Sequence, residues 1–302
     1  MANGIIIIDK PSGWTSMDVC AKLRGILHTK KVGHAGTLDP MATGVLPVFV
    51  GQATRAVSFA ESGQKEYVAG LKLGLVTNTQ DTSGETLGTH PASVTRTELE
   101  AVLPRFTGEI EQIPPMYSAV QKNGQRLYDL ARQGIEVERE SRKVTVYSLS
   151  LANFDEKAQT GTLEISCSKG TYVRTIIDDI GRALGVGAVM TALCRTSACG
   201  FSLDECITLD ELKSICENGN VEEKLRSVES LFMSLGYLAV SSAQAKRFAN
   251  GGALSADRTY LAKSGYENGQ LFRMKNHDGD FLGIGIADKP NNLIKIYFQN
   301  CR

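Results

Sequence analysis

The sequence lacks net charge: its 302 residues carry 33 Lys+Arg against 33 Asp+Glu. This excludes a protein that grips nucleic acid or an anionic membrane through bulk positive charge, so any RNA contact must rest on local basic patches and shape. It also lacks a Cys-x-x-Cys pair. The seven cysteines (Cys20, Cys167, Cys194, Cys199, Cys206, Cys216 and Cys301) are irregularly spaced, which suits neither a disulfide framework nor a zinc site and leads us to expect reduced thiols. Cys194 reads as a small buried hydrophobe. No apolar run approaches the length of a membrane span. Residues 5–8 are too short for the apolar core of a signal peptide, and no charged region precedes them. A cytoplasmic protein without membrane contact is expected. There is no internal repeat and no low-complexity segment. The hydrophobic content of 42% is that of a globular chain able to bury a core. The length suits one large domain with a small one, or two of middling size.

What is present reads as alternating strands and helices. Residues 4–8 are a short, β-branched, buried strand ending at the turn Asp9-Lys10-Pro11-Ser12-Gly13. Thr15 or Ser16 can cap a helix carrying Met17, Cys20, Leu23, Ile26 and Leu27. Tyr67, Ala69, Leu71 and Leu73 alternate with Val68, Gly70 and Lys72, the pattern of a strand with one stripe inward. Residues 78–92, rich in Gly, Thr, Ser and Pro, read as loop, and Leu99, Val102, Leu103 and Phe106 mark a helix. Residues 142–151 and 162–167 look like two more strands. Val173, Ile176, Ile177, Ile180 and Leu184 recur at helical spacing up to Gly185, and Thr208 with Glu211 makes a capping box. Without a regular βαβ repeat, the expectation is an α+β fold with a mixed, largely antiparallel core. Beyond residue 234 the texture changes. A short helix over 241–250 stops at Gly251-Gly252, and strands are expected at 271–275, 281–287 and 293–298, separated by turns as in a compact β-barrel. This tail, 235–302, resembles a PUA-type RNA-binding domain appended to a catalytic domain over 1–234.

The segment Gly33-His34-Ala35-Gly36-Thr37-Leu38-Asp39-Pro40 concentrates two glycines, a histidine and an acid between the helix pattern and the apolar run 45–50. The glycines admit close approach to the backbone, and Pro40 keeps Asp39 out of the helical region. An isolated Asp-Pro is usually a polar turn, yet a loop presented by a rigid scaffold is where reactive groups concentrate. On these grounds Asp39 is a candidate. His34, one of four histidines, stands open between metal ligand, general base and satisfied loop residue, with no second ligand nearby. Arg174 reads equally as a solvated side chain, and Tyr67 as a core tyrosine of its alternating strand.

Residues 30–47, Lys-Lys-Val-Gly-His-Ala-Gly-Thr-Leu-Asp-Pro-Met-Ala-Thr-Gly-Val-Leu-Pro, resemble the catalytic-loop signature of the TruB family of tRNA pseudouridine synthases. Residues 9–16 are similar to the family's N-terminal motif, 169–174 to its Lys-Gly-Thr-Tyr-x-Arg motif, and 114–134 to a further block. The motifs occur in family order from residue 5 to about 200, a collinearity that chance would not reproduce. The resemblance implies isomerisation of a tRNA uridine in the T arm, at the position conventionally numbered 55, after the base has been flipped out of the RNA. It implies Asp39 as the indispensable carboxylate, Arg174 as its bidentate partner, and Tyr67 as a stacking face with a hydroxyl placed for the C5 proton. His34 would help evict the target base. Tyr172 and Leu193 would wall the pocket, and Lys10 and Pro11 would support the loops, Lys10 also as a phosphate contact. Gln121 stands where the family commonly has lysine, with Lys122, Arg126 and Arg132 as replacements along an RNA-tracking face. No metal or cofactor is implied. Whether Asp39 attacks C1′ or takes a ribose proton is not legible in residues; the resemblance favours a glycal route. The chain begins almost directly at Gly4-Ile5, which favours a stand-alone, monomeric enzyme over the branch directed by guide RNA. The rival from another class is a tRNA-folding chaperone that needs no catalysis.

Overall fold

A computed structural model describes residues 2–60 and 63–300. Its centre is one sheet in the order Gly4–Lys10, Thr43–Val50, Ala188–Ala198, Lys65–Leu73, Thr160–Cys167, Arg142–Asp155 and Gly108–Gln112. Short strands Val32–His34 and Phe201–Ser202 pair with Thr43–Val50 and Ala188–Ala198 respectively. Every pairing along the path is antiparallel except that between Thr43–Val50 and Ala188–Ala198, which run parallel and share only Thr43 with Cys194 and Gly44 with Arg195. The mixed, largely antiparallel α+β core is therefore what the chain builds.

The isoleucine run has a physical reason. Ile6 and Ile8 pack with Val19, Cys20 and Leu23 of the Ser16–Ile26 helix and with Leu209 and Leu212. Ile5 and Ile7 face the opposite way, with Phe49, Phe232, Ile284 and Phe298. A strand buried on both faces has no polar stripe to show. Further along, Ala69, Leu71, Leu163 and Ile165 pack under the Val173–Ala183 and Arg96–Val102 helices.

Several local expectations differ from the structure. Thr15 caps the first helix with Asp18 in a capping box, but Met17 is exposed and Ser16 and Val19 take the inward positions. The stretch 78–92 is not all loop: Thr86–Thr89 pairs with Leu75–Thr77, an exposed hairpin whose strand has no apolar alternation to announce it. The third helix ends as α-helix at Val102, and Pro104 lies in the tighter turn Leu103–Phe106. The strand Ala188–Ala198, near the middle of the sheet, escaped the pattern reading because two bulges break its alternation. Thr208 and Glu211 do form the capping box of the Leu209–Glu217 helix.

The last part of the described chain adds a second sheet, Tyr237–Ala239, Leu271–Lys275, Phe281–Asp288, Leu293–Gln299 and Leu254–Ser255 in that order. Its three longer strands match the expected ones; the two short end strands are additional. It is seated against the rest through Phe59, Phe232, Phe281 and Phe298, with ring centroids 5.1–6.1 Å apart. Cys301, and with it the end of the expected 235–302 unit, lies outside the described residues. Among the described residues no helix is long and apolar enough to cross a membrane.

The parallel junction yields a prediction. Gly44 has φ +95°, and a Cβ there would stand 2.3 Å from the Arg195 carbonyl oxygen. Gly44→Ala should therefore cost about 2 kcal/mol or more, from left-handed strain and the forced separation of the two strands. A wild-type urea midpoint for this variant would show that the junction yields freely.

Candidate active site

Asp39 stands in the loop between Val32–His34 and Thr43–Val50, next to the parallel junction. The N-terminal motif fastens that loop from beneath. Gly13 N donates to the Pro40 carbonyl at 2.8 Å, Leu38 N donates to Ser16 Oγ at 3.0 Å, and Lys10 Nζ donates to the carbonyls of Pro40 at 3.1 Å and Pro11 at 2.9 Å. Arg195 Nη2 reaches the Gly36 carbonyl at 3.1 Å while its Nε holds that of Val45 at 2.8 Å. Lys10 and Arg195 are fully buried. Lys10 thus supports the loop, with Pro11 at its side, but its enclosed ammonium is already spent on two carbonyls and is not available to a phosphate.

Arg174 enters from the second residue of the Val173–Ala183 helix and is 5% exposed, so it is no solvated side chain. Its Nη2 donates to Asp39 Oδ1 at 3.1 Å and to the Tyr117 carbonyl at 2.7 Å. Its Nη1 donates to the Thr79 carbonyl at 3.3 Å and faces Asp81 Oδ2 at 3.8 Å. The expected fork on both oxygens of Asp39 is not formed. One guanidinium nitrogen serves Asp39, and the other is shared with a second carboxylate that the sequence reading passed over. Asp81 is itself buried, its Oδ1 accepting from Thr79 Oγ1 at 2.7 Å and from Ser83 N at 2.9 Å. The signal for it was the run Asn78-Thr79-Gln80-Asp81-Thr82-Ser83, in which short polar side chains fold back on one acid.

Burial pushes the Asp39 carboxyl above the usual carboxylate range; Arg174 and Lys10 pull it down, and Asp81 pushes it up further. Its side chain still keeps 31% exposure. Tyr67, on the strand beside, lies directly across from Arg195 in the pairing register. Burial raises its phenol while the Arg195 guanidinium lowers it. Leu193, two pairs further along the same strands, packs in one cluster with Tyr67, Leu38 and Val173. Tyr172 caps the helix that carries Arg174, and its backbone is clasped by Gln112, which accepts from Tyr172 N at 2.7 Å and donates to its carbonyl at 3.0 Å. His34, half-buried, ends the strand that leads into the loop. The structure thus brings Asp39, Arg174 and Tyr67 together with Leu193 in the adjoining cluster, Lys10 and Pro11 against the loop, Tyr172 at the start of the Arg174 helix and His34 at the end of the strand leading into the loop.

The block 114–134 carries a two-residue hairpin, Gln121–Lys122 against Gln125–Arg126, and the Leu127–Arg132 helix. Arg126 and Arg132 lie 5.7 and 5.5 Å from the ring centre of Tyr128, an exposed basic and aromatic feature. A cavity of about 610 Å³ lined by Trp14, Lys22 and Asp210 adjoins the loop's support at Lys10 and Pro11 and the parallel junction at Thr43 and Cys194.

Comparison with known proteins gives consistent results. Residues 24–173 match the family described as TruB family pseudouridylate synthase (N terminal domain), and residues 174–231 match the tRNA pseudouridylate synthase B C-terminal domain. The chain is 44% identical over 294 residues to a tRNA pseudouridine synthase B of Pseudomonas fluorescens, covering 96% of this chain and 93% of that one. It is 42% identical over 288 residues to the Clostridium perfringens protein of the same name, covering 95% and 96%. Among solved structures, one of an H/ACA ribonucleoprotein bound to a substrate RNA containing 2′-deoxyuridine superimposes with a TM-score of 0.74 at 24% identity, over 99% of this chain and 85% of that one. That likeness is one of fold.

Lys10 makes the support of the loop testable. Burial lowers its ammonium from 10.5 to about 8, with Arg195 adding to the effect and Asp39 and Asp18 opposing it. Between those values the folded chain holds Lys10 neutral while the unfolded chain still binds its proton, so stability from this group rises with pH. The wild type should therefore gain stability relative to Lys10→Met between about pH 8 and 10.5. Urea unfolding of both proteins across that range measures the gap, and a gap that shrinks with pH contradicts the enclosed ammonium.

Proposed function

This chain belongs to the TruB family of pseudouridine synthases, and from that premise we propose that it isomerises the T-arm uridine conventionally numbered 55, with Asp39 as the reacting carboxylate. That it is a tRNA pseudouridine synthase follows from relatives of that name at 44% and 42% identity over nearly all of the chain. The observation that carries the finer reading is the pairing of a partly open Asp39 with a buried Arg174. A charged pair taken out of water is costly, and it lies at an opening bordered by an aromatic ring, as a flipped nucleotide requires.

In this reading Asp39 meets the ribose and Tyr67 meets the base. Asp39 takes the proton on C2′ as the bond between C1′ and N1 breaks, leaving a glycal and a uracil anion. The base turns to present C5, the C1′–C5 bond forms, and the C2′ proton returns from Asp39. The C5 proton must then leave and N1 must gain one: the Tyr67 hydroxyl, opposite the Arg195 guanidinium, takes the C5 proton as it hands its own to water, and water returns a proton to N1. Arg174 keeps Asp39 charged until the ribose arrives, and Leu193 and Tyr172 exclude water. His34 pushes the base outward from the RNA stack.

The enzyme binds tRNA directly as a cytoplasmic monomer without a guide RNA; near-complete coverage of the bacterial tRNA enzymes, against 24% identity to the H/ACA protein, supports this. We divide it into a catalytic domain, 1–234, and a PUA-like RNA-binding unit from 235. The five-stranded sheet and the exposed Lys246, Arg247 and Arg258 support that unit. The elaborate burial of Arg174 favours catalysis over a purely chaperoning role, since RNA binding alone has no use for it.

Asp39→Asn should bind tRNA normally and lose turnover, Arg174→Lys should be nearly as impaired, and Tyr67→Phe should keep base placement while Tyr67→Leu loses it. Carbodiimide mapping of tRNA after single turnover reads these out; substantial activity in Asp39→Asn sinks the assignment. The acid limb of the wild-type rate should lie above the ordinary carboxylate range, as the burial of Asp39 requires.

For the tail, Lys246→Gln with Arg258→Gln should weaken tRNA binding and flatten its salt dependence without slowing the bound step. Unchanged affinity would remove the tail from the RNA interface.

A further inference from the structure

The loop 77–83 holds Arg174 from one side, and what holds the loop is Gln80. Its backbone sits at φ +65°, a left-handed conformation that a non-glycine residue keeps only where its surroundings over-determine it. Its main chain is paired to the sheet, Met190 N donating to the Gln80 carbonyl at 3.1 Å and Thr82 N to that of Met190 at 3.0 Å. Its carboxamide reaches across to the Val173–Ala183 helix, Nε2 donating to Asp178 Oδ2 at 3.0 Å and Oε1 accepting from Thr175 Oγ1 at 2.8 Å. Thr175 and Asp178 are buried and lie one turn apart. Arg182 Nη2 occupies the same Asp178 oxygen at 2.8 Å, which fixes that carboxylate in place and opposes the burial that pushes its carboxyl above the usual range.

The placement is specific. Thr79 and Asp81, the two neighbours of Gln80, are the groups that face Arg174 Nη1, and Thr175 is the residue after Arg174. We propose that Gln80 is a positioning residue, a staple that fixes the separation between the 77–83 loop and the helix turn bearing Arg174, and so sets where the guanidinium meets Asp39. This rests on the reading of Asp39 and Arg174 given above. The Gln80 side chain bonds Asp178 and Thr175 rather than Asp39, and it acts through Arg174. Released, the loop and the helix remain folded, but the guanidinium loses the fixed frame against which Asp39 is charged and aimed. Misplacing a reacting group by about an ångström costs on the order of 100-fold in rate.

Two variants separate the side chain from the backbone. Gln80→Gly keeps the left-handed angle and removes the carboxamide; Gln80→Asn keeps an amide and tolerates that angle but falls one methylene short. Both should lower the single-turnover rate at saturating enzyme roughly 10- to 100-fold. Their tRNA Kd should stay within about twofold of wild type, because no phosphate contact is lost. Thr175→Val should reproduce part of the loss, and Thr175→Ser, which keeps the hydroxyl, should restore it. A merely structural role would lower the melting temperature without this split between rate and affinity. Wild-type bound-step rates in both folded Gln80 variants overturn the proposal. A second measurement needs no substrate: amide hydrogen exchange over 77–83 and 173–177 should quicken in Gln80→Gly, and unchanged exchange also overturns it. If the wild type itself left tRNA uridine unaltered, the active-site reading would fall, and the exchange result would still decide the staple.

Discussion

A guanidinium cannot shed its proton to escape a dry environment, so burying Arg174 obliges the chain to bring acceptors to it. Those acceptors come from three separate stretches: Asp39 on the first loop, Thr79 and Asp81 on the second, and the carbonyl of Tyr117 on the block that follows. Each stretch is remote in sequence, and each is brought to the same point by a different part of the sheet. The site is thus assembled by the demand of one cation. The solution is incomplete, since Nε of Arg174 finds no acceptor among the described residues. An unmet buried donor costs about 1–3 kcal/mol. A structure that tolerates it spends stability on keeping the charge in place, as reactive centres do.

The sheet explains why the site lies where it does. Antiparallel ladders, interrupted only by bulges, run across most of it, whereas Thr43–Val50 and Ala188–Ala198 share only two residue pairs before they part. Chains diverging from a parallel start leave room that a closed ladder would fill. Asp39 arrives four residues before the first of those pairs, and Arg195 sits on the second with Tyr67 across from it. Two fully buried cations, Lys10 and Arg195, tie the loop down through carbonyl oxygens. The charge of Lys10, like that of Arg174, also favours an ionised Asp39, in opposition to burial.

Much of this was legible in the residues because it is local. The capping boxes at Thr15, Thr208 and Ser241 are short-range geometry, and the loop with Asp39 announced itself through glycine, proline and order of motifs. What escaped depended on partners far along the chain. Asp81 looked like one polar turn residue among several, and only its approach to Arg174 sets it apart. Lys10 was expected to support the loops and to contact phosphate, and its full burial follows from the Pro40 carbonyl thirty residues away. Ala188–Ala198 is a strand by pairing rather than by alternation, its bulges having scrambled the stripe. Sequence patterns encode faces, and long-range partners appear only when faces are brought together.

The tail shows the same logic at a larger scale. Texture alone sets residues beyond 234 apart, yet Ile284 and Phe298 share a cluster with Ile5, Ile7, Val45 and Phe49 of the first sheet. Arg273 and Lys275 share Glu229 across the same seam, at 3.0 and 3.1 Å. A seam this apolar does not come apart cleanly, because cutting it would expose aromatic surface that stabilises both sides. The strand carrying Val45 and Phe49 is also the strand that starts at the parallel junction beside Asp39. One of its faces is therefore packed by the tail while its near end borders the Asp39 carboxylate. The second sheet and the Asp39 loop thus share one continuous, doubly buried strand.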